Sequence, residues 1–260
     1  MGQSLVALEK LSGREYSCVP YVIHLFAKLP LSSHSIVRDP SRMAGLIRIA
    51  RDESGSLPVG CRGSGGKIFR EICDGSDFIL IHGNGCSRQI LYNLIQTVRE
   101  WAPDKPVVCN EDSAALGQIP VAVGLHASWG YYNNITKQEP PVDWGIQPGE
   151  DTFFAMRMSM ALGIPLRTSS VQQYFLQGLE HSQDWNGLRW IRLACLYPEE
   201  IDYVEFFKNG SYIFTAYDEP FVVNAVSNWD QKGVDSLPGD EWTAIIHTGG
   251  KTVELSDIVR

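Results

Sequence analysis

The sequence is short of positive charge, of paired cysteines and of long apolar runs, and each shortage removes a class of function. Lys and Arg number 22 against 30 Asp and Glu, for a formal net charge of -8 and a pI near 5.3. No basic stripe is present, which argues against a nucleic-acid or anionic-membrane surface, since both need clustered cations. The six cysteines, Cys18, Cys61, Cys73, Cys86, Cys109 and Cys195, stand no closer than twelve positions apart. That spacing builds neither a metal-ligand pair nor a redox CxxC, so no metal and no cofactor are expected, and most of the thiols read as reduced, buried small hydrophobes. No stretch approaches the ~18 to 20 apolar residues of a membrane span. Met1–Lys10 lacks the cationic start and apolar core of an export signal, so the chain as written is expected to be cytoplasmic. Asn134-Ile-Thr and Asn209-Gly-Ser are formal glycosylation sequons that would matter only in a secreted chain.

What is present suffices for a proper core. At 260 residues, with 44% hydrophobic and 20% charged content, the chain allows one large domain or two ordinary ones. Strand and helix signals alternate as far as about residue 165, and strand signals dominate after about 185. Strands are expected at 19–26, 57–61, 77–82, 107–110 and 126–130. Helices are expected at about 41–51, 67–73, 87–101, 114–125 and 150–162, the fourth awkwardly interrupted by Pro120.

The most informative segment is Lys105-Pro-Val-Val-Cys-Asn-Glu-Asp112. It does not alternate, so it reads as a strand buried on both faces of a parallel sheet. It ends in Asn110, Glu111 and Asp112, where parallel α/β folds place their chemistry. A competing reading makes the same cluster a solvated junction, with Asp112 or Ser113 capping a helix.

The succession of a strand ending His82-Gly-Asn84, a strand ending Asn110-Glu-Asp112, His126-Ala-Ser-Trp-Gly-Tyr-Tyr132 and Pro141-Val-Asp-Trp-Gly145 resembles the barrel of cellulase-like retaining glycosidases. The resemblance covers roughly residues 19–165. It implies a partial (β/α) TIM-type barrel of about five βα units, the fourth to eighth of a full set, with Glu111 at the end of the seventh strand as nucleophile. Trp129, on the eighth, then matches the sugar-stacking Trp of that superfamily. Members of the family are often secreted.

Retaining hydrolysis needs two carboxyl groups ~5 to 5.5 Å apart, one attacking the anomeric carbon and one protonating the leaving oxygen. The strand that should carry the Asn-Glu acid/base pair reads Tyr21-Val-Ile-His-Leu-Phe-Ala-Lys28 and has no such pair. His24 and Lys28 are not natural substitutes for it, and His24 reads better as a core histidine. The implied site therefore has Glu111 as its catalytic residue, with Asn110, His82, Asn84, Trp129, Tyr131 and Trp144 as substrate-binding residues. Two readings stay open for His82 and Asn84: hydrogen bonds to sugar hydroxyls, or a Gly-Asn-Gly turn whose Asn tolerates a left-handed backbone. The aromatics are either stacking platforms or satellite core.

After Trp185, the segments 188–196, 201–207 and 212–217 alternate at period two, and Asn209-Gly210 is a strong hairpin signal. With 242–247 and 251–255 they make a small all-β sandwich, and Val204-Glu-Phe-Phe-Lys-Asn-Gly210 resembles the hairpin of immunoglobulin-like modules appended to carbohydrate-active enzymes. No stacking platform is visible there in the sequence. The expected organisation is thus α/β: a partial barrel over 1–183 and an Ig-like sandwich over 184–260. The expected function is a glycoside hydrolase-like protein of impaired or absent activity, and the rival is an inactive remnant that binds carbohydrate. Its ligand is expected to be a carbohydrate, with no nucleic acid and no membrane as partner, and open barrel edges imply self-association.

Overall fold

Runs of apolar residues without alternation pair in parallel and bury both faces. A computed structural model of the protein, describing residues 39–55, 57–61, 66–131, 148–165, 172–180, 188–227, 230–231 and 233–260, contains one such sheet. Its strands are β1 (Ile79–His82), β2 (Val107–Glu111) and β3 (Ala127–Trp129), hydrogen-bonded in that order. Both pairings are parallel. The helices around them are α1 (Pro40–Ser54), α2 (Arg70–Gly75), α3 (Arg88–Trp101) and α4 (Gln118–Gly124).

Local chemistry explains where these elements begin. The Ser87 hydroxyl accepts from the Ile90 N–H and caps α3, which buries Leu91, Leu94, Ile95 and Val98 on one stripe. Pro120 does not interrupt α4, because it is the third residue of the helix, inside the first turn, where an N–H would have no intrahelical partner. Met43 and Ile47 of α1 pack with Val59, Cys61 and Ile72, and Phe78, Leu80 and Val108 form a second cluster.

The structure departs from the sequence expectation at one of the described strands. Residues 19–26 lie outside the described residues. Residues 57–61 form no strand, and two of their N–H groups go to side chains instead of a ladder. The Val59 N–H donates to Asp77 Oδ2 at 2.8 Å, and the Cys61 N–H donates to Ser76 Oγ at 3.3 Å. Among the described residues the parallel sheet has three strands, and 57–61 is not one of them.

The chain divides into two compact units, residues 1–112 with 120–131 and residues 113–119 with 132–260, so the expected boundary at 183/184 falls inside the second. The reason is α5 (Glu150–Ala161), whose charged side chains join it to the β strands that follow. Glu150 pairs with Arg192, both buried, and Arg157 pairs with Glu199 at 2.7 Å while lying over the Tyr197 ring.

The second unit's sheets are all antiparallel. A four-stranded sheet has the order β11 (Lys251–Ile258), β10 (Glu241–Thr248), β6 (Tyr203–Lys208), β7 (Ser211–Ala216). β4 (Tyr174–Gln177) pairs with β5 (Arg192–Cys195), and the short β8 (Ala225–Ser227) pairs with β9 (Asp230–Gln231). Asn209 and Gly210, at φ 50° and 76°, make the tight turn expected between β6 and β7. Leu176, Leu193, Phe206, Trp242, Ala244 and Ile246 belong to one apolar core. Arg189 lies within this unit and is satisfied by the carbonyl oxygens of Gly178, Leu179, Ser236 and Arg260.

Candidate active site

The C-terminal ends of β1 and β2 are set by one irregularity in their pairing. Ile81 lies opposite Cys109, but His82 lies opposite Glu111, so Asn110 is an extra residue on β2. Such a bulge re-aims the side chains beyond it. In an unbroken register His82 would face Asn110, whereas here it lies opposite Glu111. His82 Nε2 stands 3.8 Å from Glu111 Oε2, and the two residues are 5% and 7% exposed. The Gly83 N–H closes the strand end by donating to the Glu111 carbonyl at 3.1 Å.

Asp112 points elsewhere than Glu111, as alternation along an extended chain requires. Its Oδ2 accepts from the Trp129 indole N–H at 2.7 Å, and both residues are fully buried. Gly83 lies against the same carboxylate: a Cβ built there would come within 2.0 Å of Asp112 Oδ2. Tyr131 stacks on Trp129 with ring centroids 5.8 Å apart and planes 24° from parallel. Trp129 at 1% exposure is thus a buried ring beneath Tyr131. The side-chain oxygens Asn84 Oδ1, Asn110 Oδ1 and Ser128 Oγ are buried with no hydrogen-bond partner among the described residues. Trp144 lies outside the described residues.

Two thiols flank this arrangement, and neither is a nucleophile. Burial, with the Asp112 carboxylate second, pushes both Cys86 and Cys109 up from the ordinary thiol range, Cys109 the further. Both stay protonated at neutral pH, and the thiol is the unreactive form. Among the described residues no group of three or more His, Cys, Asp and Glu side chains is placed to hold a metal. Glu111 is the nearly buried carboxyl group that faces the His82 imidazole.

Sequence reasoning located His82, Asn84, Asn110, Glu111 and Trp129 at the ends of strands. It missed the bulge, which no residue type announces, and the Asp112–Trp129 hydrogen bond, which depends on β2 and β3 being neighbours.

No protein-family model matches the sequence, and no curated protein matches it. Among solved structures it is similar to the endo-beta-1,4-mannanase of Thermotoga petrophila, at 10% identity and TM-score 0.38, over 84% of this chain and 60% of that one. It is similar to a beta-glucuronidase of Bacteroides uniformis, at 11% identity and TM-score 0.35, over 90% of this chain and 32% of that one. An endo-beta-1,4-mannanase double mutant of Cellulomonas fimi gives 13% identity and TM-score 0.30, over 85% of this chain and 59% of that one. The chain thus spans between about a third and three-fifths of the length of these structures.

Proposed function

We propose that the protein is a carbohydrate-active hydrolase of the retaining type, with Glu111 as nucleophile and the antiparallel unit as an immunoglobulin-like accessory module. The observation that carries the reading is the bulge at Asn110, which sets a nearly buried carboxylate against His82 at the C-terminal end of a parallel sheet. Bulges gather next to active sites because they redirect single side chains. In the proposed reaction a Glu111 oxygen bonds to the anomeric carbon as the bond to the leaving oxygen breaks, and water then releases the sugar. His82 holds the carboxylate in position. Asn84 and Asn110 offer buried amide oxygens to sugar hydroxyls, and Tyr131, with Trp129 beneath it, offers a ring to the sugar's apolar face.

No acid/base carboxyl is assigned, and loss of general-acid assistance costs a factor of ~10² to 10⁴, least where the leaving group needs no proton. Hydrolysis is therefore expected with dinitrophenyl glycosides and not with natural glycans. The test is incubation with 2-deoxy-2-fluoro glycosides bearing activated leaving groups, followed by peptide mass mapping. Labelling of Glu111, together with loss of turnover in Glu111→Gln, supports the reading, and labelling of another carboxylate overturns it. A second reading, carbohydrate binding without hydrolysis, is favoured by the imidazole of His82, the group that stands against Glu111 among the described residues. It predicts saturable glycan binding with no turnover of any aryl glycoside.

A further inference from the structure

The face of the four-stranded sheet turned away from the core carries an unusual set of side chains. Val204 and Phe206 of β6 point into the core, so Tyr203, Glu205 and Phe207 point out. Pairing brings His247 beside Tyr203 and Thr243 beside Phe207. The Tyr203 and His247 rings stack at 4.1 Å and 16°, and Tyr217 flanks Tyr203 at 5.9 Å. At the other end of β6, Phe207 meets Tyr212 edge to face at 5.8 Å. Tyr217 and Tyr212 are 69% and 57% exposed. Two aromatic patches thus stand four positions apart on β6, a separation of about 13 Å at the usual rise of a strand.

Hydrogen-bonding groups accompany the patches. Glu205 Oε2 lies 2.8 Å from His247 Nε2, the Tyr212 hydroxyl 2.9 Å from Thr215 Oγ1, and Thr243 Oγ1 2.8 Å from Ser256 Oγ. A surface made for another protein's core is mainly apolar at its centre. This one has rings at its ends, and at its centre a single apolar side chain, Ile245, stands between the carboxylates of Glu205 and Glu254.

We propose that this face is a binding site for a neutral oligosaccharide laid along β6. Sugar rings have C–H faces that pack on aromatic rings and hydroxyl edges that donate to carboxylates and hydroxyls. The spacing of the patches calls for several linked sugars, not one. Charge selects among polymers: Glu205 and Glu254 lie on this face of a chain of net charge -8, which disfavours nucleic acids and polyuronates and leaves uncharged glycans. The site is independent of the Glu111 reading, since every residue in it belongs to the antiparallel sheet or its flanking turn.

Affinity electrophoresis of the full chain tests it, with glucomannan, xyloglucan, mixed-linkage glucan or hydroxyethylcellulose in the gel and polygalacturonate as the charged comparison. Retardation is expected in at least one neutral gel and not in polygalacturonate, with equal retardation of Glu111→Gln. The Tyr212→Ala/Tyr217→Ala double variant should bind about tenfold more weakly, while the double Phe variant, which keeps both rings, should bind as the parent does. Both tyrosines are exposed, so folding should survive, and an unchanged melting temperature checks this. The proposal is overturned by absence of retardation in every neutral gel, by retardation that the double Ala variant leaves intact, or by retardation lost in Glu111→Gln alone. A double Ala variant that changes only the oligomeric state also overturns it and makes the face a protein contact.

Discussion

Gly83 is held to glycine by space: its missing Cβ leaves room for the Asp112 carboxylate that the Trp129 indole holds. Gly83→Ala is expected to displace Asp112, which is backed by buried structure and cannot retreat cheaply. Overpacking of this kind typically costs ~1 to 3 kcal/mol, so chemical denaturation should show a loss in that range. A loss below a few tenths of a kcal/mol would mean that the Asp112–Trp129 contact does not define this strand end. The strand-end position of Glu111 could be read from a carboxylate at the end of an apolar run. That of Gly83 could not, because the atom it avoids is supplied from 29 positions further along the chain.

Elements were legible where one local cause dominates. The stripe of α3 with its Ser87 cap, and the Asn209-Gly210 turn, depend on neighbours in sequence and were readable. Residues 57–61 look like a strand, but Asp77 and Ser76 take up backbone groups that a sheet would have paired, and nothing in the five residues reveals it. The turn before β10 depends on Asp240, whose carboxylate meets the Lys208 ammonium at 2.9 Å, the Asn209 side-chain amide at 2.9 Å and the Leu237 N–H at 2.8 Å. Lys208 foremost, then Asn209 and Leu237, hold this carboxyl well below the usual carboxylate range. A carboxyl depressed on folding stabilises the fold above its unfolded pKa of ~3.9 and loses that contribution as pH falls toward the native value. Melting temperatures of the parent and Asp240→Asn should therefore differ most above about pH 5 and converge below about pH 4. A gap that does not change with pH would remove the charge of Asp240 as its cause.

At the scale of the molecule, each unit has its own means of order, a parallel sheet with helices in one and antiparallel sheets around a single core in the other. The sequence displayed this change of character, since non-alternating runs give way to alternating ones after Trp185. It did not display that α5 belongs with the later strands, because the Glu150–Arg192 and Arg157–Glu199 pairs join residues more than forty positions apart. Arg189 ties the second unit together in the same long-range way, its guanidinium donating to carbonyls at 178, 179, 236 and 260. Arg189→Met keeps much of the volume and removes every donor. It should cost about 3 kcal/mol or more, since buried carbonyls lose charged partners, and the loss should appear as a lower urea midpoint. A midpoint within error of the parent would show that water replaces the guanidinium at no cost.

The extra residue on β2 also makes the strand end an address that counts residues. Excising Asn110 would remove the bulge without unpairing the two groups: Glu111 would follow Cys109 directly and still lie opposite His82. Asp112 would be drawn one place back along the strand, away from the Trp129 indole that now donates to it. A single-codon deletion, in place of a substitution, would thus separate the catalytic candidate from its structural neighbour.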